Sequence, residues 1–155
     1  MPESITITGA RSTAHHPDQW YRTAFSAYLA PFAAPGAHFF IGGAKGIDSL
    51  ALLWLAARSR SAITVVVPVT VAQQPEEARQ AIAQCRSRIT EVVELQAPEL
   101  HPAAYHARNR WMVDRSDLTI GFPLEGQHEM TRTSGTWQTL DYTASLGKPR
   151  LVVPT

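Results

Sequence analysis

Three short stretches of this chain bring together residue types that bind anions. In the first, the apolar run His38-Phe39-Phe40-Ile41 breaks at Gly42-Gly43, continues through Ala44-Lys45-Gly46, and then opens into a helical pattern at Ile47-Asp48. A strand, a tight turn and a helix in that order leave the N–H groups of the first helical turn facing out over the strand end, where a phosphate can sit. The second, Ser134-Gly135-Thr136, stands at the mouth of another helix with two hydroxyls beside its first amides. It reads either as an ordinary N-cap or as a second phosphate cradle. The third, Arg108-Asn109-Arg110, supplies planar and permanently charged donors matched to phosphate or carboxylate. Plainer readings stand beside these: a tight turn with nothing bound at Gly42 to Gly46, a solvated Arg108, and an i, i+4 pair between Arg110 and Asp114. The glycine stretch matches neither a Walker loop nor the Gly-x-Gly-x-x-Gly dinucleotide fingerprint.

The histidines carry less. His15, His16, His38, His101, His106 and His128 include no pair at helical metal spacing with a third ligand placed by sequence, so no metal site is expected. His101 and His106 lie close to the arginines and can touch a ligand. Trp54 reads as core, whereas Trp111 and Trp137 either pack or stack on a base.

These stretches need a scaffold, and the hydrophobic pattern supplies one. Strands are expected at Ser4 to Thr8, His38 to Ile41, Ile63 to Val67, Ile89 to Leu95, Leu118 to Phe122 and Arg150 to Val153. Between them helical patterns start at Pro17-Asp18, at Ile47, at Pro75-Glu76-Glu77 (running to about Ser87), at Ala103 (to Arg115) and at Gly135 (to Ser145, with Gly147 closing it). The unbroken apolar run Ile63 to Val67 suits a strand covered on both faces. Strand and helix alternate throughout, which predicts an α/β doubly wound, mainly parallel sheet with ligands beyond the carboxyl ends of its strands. The turn Gly9-Ala10-Arg11-Ser12 belongs to that same edge, and so does the polar loop from Pro123 to Thr133, long enough to suggest a function.

At 155 residues the chain suits one domain. Charged residues make up 17% and the formal net charge is +1, so no strong field favours nucleic acid or an anionic membrane. A single cysteine, Cys85, makes no internal disulfide and fits a reducing compartment. With no leader-like N-terminus and no run near the ~18 apolar residues of a membrane span, a cytoplasmic protein without a membrane partner is expected.

Taken in order, Gly42-Gly43-Ala44-Lys45-Gly46-Ile47-Asp48, Arg108-Asn109-Arg110, and Ser134-Gly135-Thr136 ahead of Gly147-Lys148-Pro149 resemble the SLOG superfamily of Rossmann-like proteins. That superfamily takes in DNA-processing protein A (DprA/Smf), the LONELY GUY (LOG) cytokinin-activating phosphoribohydrolases and small YspA-like proteins. The Gly-Gly-Ala-x-Gly-Ile-Asp element is similar to the DprA version; the compact length and Arg108, Asn109 and Met112 are more like the YspA-like members. The resemblance covers nearly the whole chain and implies one Rossmann-like three-layer sandwich over residues 1–155. It also implies a phosphate-bearing nucleotide or nucleotide derivative over Gly42, Gly43, Gly135 and Thr136, with Arg108 beside it. Gly9, Arg11, Ser12, Ala44, Gly46, Asp48, Asn109 and Ser134 complete the implied binding set.

The resemblance leaves three functions open. The first is a nucleotide-binding sensor, with no cofactor and with a homodimer as the family's common state. The second is a LOG-type N-glycosidase acting on a nucleoside monophosphate. The LOG motif glutamate falls on Thr139, which cannot act as an acid or base near neutral pH, so Glu125, Glu129 or Asp141 would have to serve, each otherwise a solvated carboxylate. The third is a DprA-like module for single-stranded DNA, which a net charge of +1 without a basic run makes weak and salt-sensitive.

Overall fold

Six short apolar runs pair in one sheet because each central strand carries β-branched or aromatic side chains on both faces and can be buried only between two helix layers. In the computed structural model, which describes residues 1–124 and 134–155, the strands are β1 (Ser4–Gly9), β2 (His38–Gly42), β3 (Ala62–Val67), β4 (Glu91–Glu94), β5 (Leu118–Phe122) and β6 (Arg150–Val152). The helices are α1 (Asp18–Tyr28), α2 (Ile47–Arg58), α3 (Glu76–Gln84), α4 (Pro102–Asp114) and α5 (Gly135–Ser145). The sheet order is β4-β3-β2-β1-β5-β6 and every pairing is parallel. This is the expected doubly wound sheet in a single domain.

The register shows which strand is central. β1 pairs with β2 from Ser4 against His38 and with β5 from Ile5 against Leu118, so Ile5, Thr6 and Ile7 are fully buried. Thr6 survives there because its Oγ1 shares a 2.6 Å hydrogen bond with Ser116 Oγ. From β1 the chain winds outward to β4, then returns to lay β5 on the other side of β1. The order therefore reverses between β1 and β5, and a crevice opens above their carboxyl ends.

Helices α1, α2 and α3 pack on one face, where Tyr21, Phe25, Ile47 and Leu55 meet Phe39, Ile41, Ile63 and Val65. Helices α4 and α5 cover the other, with Met112 against Phe40 and Val66. Two expected boundaries shift. A 3₁₀ turn at Arg86–Arg88 ends α3 at Gln84 and shortens the fourth strand to Glu91–Glu94. That short strand, with an exposed glutamate at each end, closes the sheet edge against further pairing. No helix among the described residues is long and apolar enough to cross a membrane.

Candidate functional site

The crevice between β1 and β5 holds a cavity of about 640 Å³. Its floor is the turn after β1, its far wall the start of α5, and its near wall α4 with the turn before α2. Two backbone hydrogen bonds lock the floor: Ala10 N–H to Phe122 O at 3.1 Å, and Ile47 N–H to Ala10 O at 3.0 Å. Of the residues singled out from sequence, Gly9, Arg11, Ser12, Ala44, Asp48, Arg108, Asn109, Ser134, Gly135 and Thr136 line this cavity. Segments far apart in the chain thus meet at one place.

Gly42, Gly43 and Gly46 do not line it. A Cβ on Gly42 would overlap Arg108 Nη1 and lie 2.7 Å from Asp48 Oδ2. One on Gly43 would lie 2.6 Å from Val67 Cγ1, and the Gly43 carbonyl accepts from Gln74 Nε2 at 2.5 Å. Gly46 has φ +78°, and a Cβ there would sit 2.5 Å from the Ala10 carbonyl oxygen. These glycines let protein groups, not a ligand, approach the backbone. Two amides of this turn are also taken: Gly46 N–H donates to Glu77 Oε2 at 2.7 Å and Ile47 N–H to Ala10 O. Glu77, which sequence places as a first-turn acid of its own helix, instead serves the N-terminus of α2.

The start of α5 is arranged differently. Ser134 is its N-cap, accepting the Trp137 N–H at 3.3 Å through Oγ. Among the described residues the amides of Gly135 and Thr136 have no acceptor, and both residues face the cavity. A Cβ on Gly135 would meet only Asn109 Nδ2, at 3.9 Å.

Arg108 is buried rather than solvated. Its Nε donates to Asn109 Oδ1 at 2.7 Å and its Nη1 to Val66 O at 3.2 Å; Nη2 has no acceptor among the described residues. Burial lowers its pKa, and the nearby Asp48 raises it again. Arg11, on the exposed rim, lies with its guanidinium carbon 4.5 Å from the centre of the Tyr105 ring, and that of Arg108 lies 5.6 Å from the same ring. Asp48 is 6% exposed and its Oδ1 has no hydrogen-bond partner among the described residues. Burial pushes its carboxyl up to about 7, against the downward pull of Arg108, the Ala44 amide and Arg11.

Other expectations resolve in place. His101 and His106 both line the cavity. Asp141 does not; it belongs to a neighbouring groove between α4 and α5 and pairs with Arg150 at 3.1 Å. Thr139 is turned into its own helix, its Oγ1 donating to Gly135 O at 2.7 Å. Glu125, Glu129 and His128 lie outside the described residues. Arg110 does not pair with Asp114; it sits 5.3 Å from the Tyr142 ring centre while the Tyr142 hydroxyl donates to Asp114 at 2.6 Å. Trp54 is core, and Trp111 packs beneath Arg115. Sequence reasoning missed Tyr105, although its position one helical turn before Arg108 was a usable signal.

No protein-family model and no curated protein matches the chain. Solved structures do. DNA processing protein A (DprA) from Helicobacter pylori, described for its single-stranded DNA binding mode, has a TM-score of 0.71 at 20% identity over 99% of this chain and 66% of its own. The fold is DprA-like. DprA from Streptococcus pneumoniae gives 0.69 at 16% identity, over 98% of this chain and 50% of its own. The chain thus spans about two thirds of the first DprA protein and half of the second. The DprA branch of the resemblance therefore has structural neighbours, and these identities speak for the DprA-like fold alone.

Proposed function

We propose that the cavity binds the phosphate of a nucleotide, with the Gly135 and Thr136 amides, Arg11 and Arg108 Nη2 taking its oxygens. One observation carries this reading: open helix-start amides and two guanidiniums line the same cavity. Amides at a helix N-terminus and arginine forks are the two commonest protein answers to a phosphate. A volume of about 640 Å³ lies within the range of ligand pockets.

The same chemistry has two sources, a free mononucleotide or a nucleotide within single-stranded DNA. The structural neighbours favour the strand, since the Helicobacter pylori DprA binds single-stranded DNA. Glycoside hydrolysis has less support: Thr139 is bonded to its own helix, and Asp141 is paired with Arg150 away from the cavity.

Thermal unfolding with dTMP, thymidine and a thymidine oligonucleotide tests the reading. A phosphate-bearing ligand at 100 times its Kd should stabilise by about 2.7 kcal/mol, a Tm rise of roughly 5–10 °C at this size. Thymidine should give none, and equal shifts from thymidine and dTMP would overturn the proposal. If the strand is the ligand, the oligonucleotide binds more tightly than dTMP and the slope of log K against log salt exceeds about 1, since more than one phosphate is engaged.

A further inference from the structure

The charges around the cavity do not close without deciding the state of one buried proton. Asp48 lines the cavity, is 6% exposed, and holds an Oδ1 with no partner among the described residues. The groups that face it come from three directions. Arg11 approaches from the turn after β1, and Arg108 with the Tyr105 ring from α4. From its own turn it has the Ala44 amide, while Lys45 beside it is exposed. Glu77 on α3 is committed to the Gly46 amide, and His101, at the N-cap of α4, and His106, on that helix, also line the cavity.

With Asp48 ionised, two guanidiniums, one carboxylate and the roughly half charge of the α5 N-terminus sum to about +1.5. With Asp48 neutral the sum is about +2.5. The first matches a monoanion and the second a dianion. An anion that engages Arg11 and Arg108 also takes up the two cations that hold Asp48 ionised, so a more highly charged phosphate drives a proton onto the carboxyl.

Building on the phosphate-site reading, we infer that the protonation of Asp48 sets the charge of the phosphate the cavity takes: the neutral carboxyl admits a phosphomonoester dianion, and the carboxylate favours a phosphodiester monoanion. Burial has already brought the carboxyl to about 7, so the proton is within reach at neutral pH. Binding a terminal phosphate then takes up a proton from solvent, and binding an internal phosphate of a strand does not. Asp48 becomes the residue that distinguishes a nucleotide from a strand.

Calorimetric titration of dTMP and of the dinucleotide dTpdT at pH 7, 8 and 9, in buffers of differing ionisation enthalpy, tests this. Over that range the second ionisation of the monoester, near 6, is complete. The wild-type affinity for dTMP should fall about tenfold or more from pH 7 to pH 9, with proton uptake visible as a buffer-dependent enthalpy at pH 8. The dTpdT affinity should stay within about twofold. Asp48→Asn fixes the neutral state and leaves His101 and His106 in place; its dTMP affinity should lose the fall between pH 7 and pH 9, and the proton uptake at pH 8 should be lost with it. Parallel pH profiles for the two ligands in the wild type would overturn the inference, and so would proton uptake that persists in Asp48→Asn. The wild-type profiles decide the matter even if the variant does not fold. Failure of both ligands to bind refutes the phosphate site itself, whereas binding of both without proton uptake refutes only the role of Asp48.

Discussion

The N-termini of α2 and α5 lie at the same edge of the sheet, follow central strands and flank one cavity, yet their turns are filled differently. At α2 two turn amides are spent, Gly46 on Glu77 and Ile47 on the Ala10 carbonyl, and the Asp48 carboxylate is buried beside the turn. Its glycines admit Arg108, Val67 and the Ala10–Arg11 backbone. At α5 a single serine caps the helix, and the Gly135 and Thr136 amides remain. The difference teaches that a glycine-rich turn records how closely something approaches the backbone, not what approaches. Here the richer motif serves packing and the plainer one faces the cavity.

The largest effect that sharpens this contrast is electrostatic. Asp48 binds its proton up to about pH 7 in the folded chain, against an ordinary 3.8. Between roughly pH 4 and 7 the unfolded chain has lost that proton while the folded chain keeps it, so stability falls as pH rises through this window and levels off above it. A shift of about 3 units corresponds to roughly 4 kcal/mol. Asp48→Asn should therefore gain stability relative to wild type by up to that amount between pH 4 and pH 8, read from urea midpoints. A difference that does not change with pH would mean that the α2 end holds no strained carboxyl.

Next in size is the backbone at the same turn. Gly46→Ala places a Cβ against the Ala10–Arg11 backbone at φ +78°. Gly147→Ala, at φ +71°, meets nothing within 4 Å. The second should cost the left-handed penalty alone, about 1–2 kcal/mol, and the first clearly more, a gap of several degrees in Tm. Equal losses would break the view that Gly46 is kept for close packing.

At the other helix the expected effect has two signs. Gly135→Asp places its Cβ no closer than 3.9 Å to any described atom beyond its own helix turn and should stabilise α5 by about 0.3–1 kcal/mol through the macrodipole, while weakening dTMP about tenfold or more by occupying the amides. Smallest is Arg11→Gln on the exposed rim. It should leave stability within about 0.5 kcal/mol and weaken dTMP by about tenfold. Binding that survives Gly135→Asp would remove the α5 end from the site, and binding that survives Arg11→Gln would remove the rim arginine.

Much of this arrangement was readable from the chain itself. Leu118–Phe122 and Gly135–Ser145 fall where hydrophobic pattern and cap residues put them, and Ile63 to Val67 is buried on both faces as its unbroken apolar run suggests. What local pattern could not supply was partnership across the fold. Arg108 reads either as an anion donor or as part of a solvated helix face, and local pattern does not show that it is buried because Gly42, far away in sequence, leaves space for it. Glu77 reads as an acid for its own helix and serves another. The end of α3 was misjudged because a 3₁₀ turn keeps helical spacing while changing the chain's direction.

The phosphate site is tested most directly by following backbone amide resonances while dTMP is added. The expected result is that Gly135 and Thr136 shift with saturation while Gly46 and Ile47, whose amides are committed to Glu77 and Ala10, stay near their free positions. Saturable shifts at Gly46 and Ile47 with Gly135 and Thr136 unmoved would contradict it.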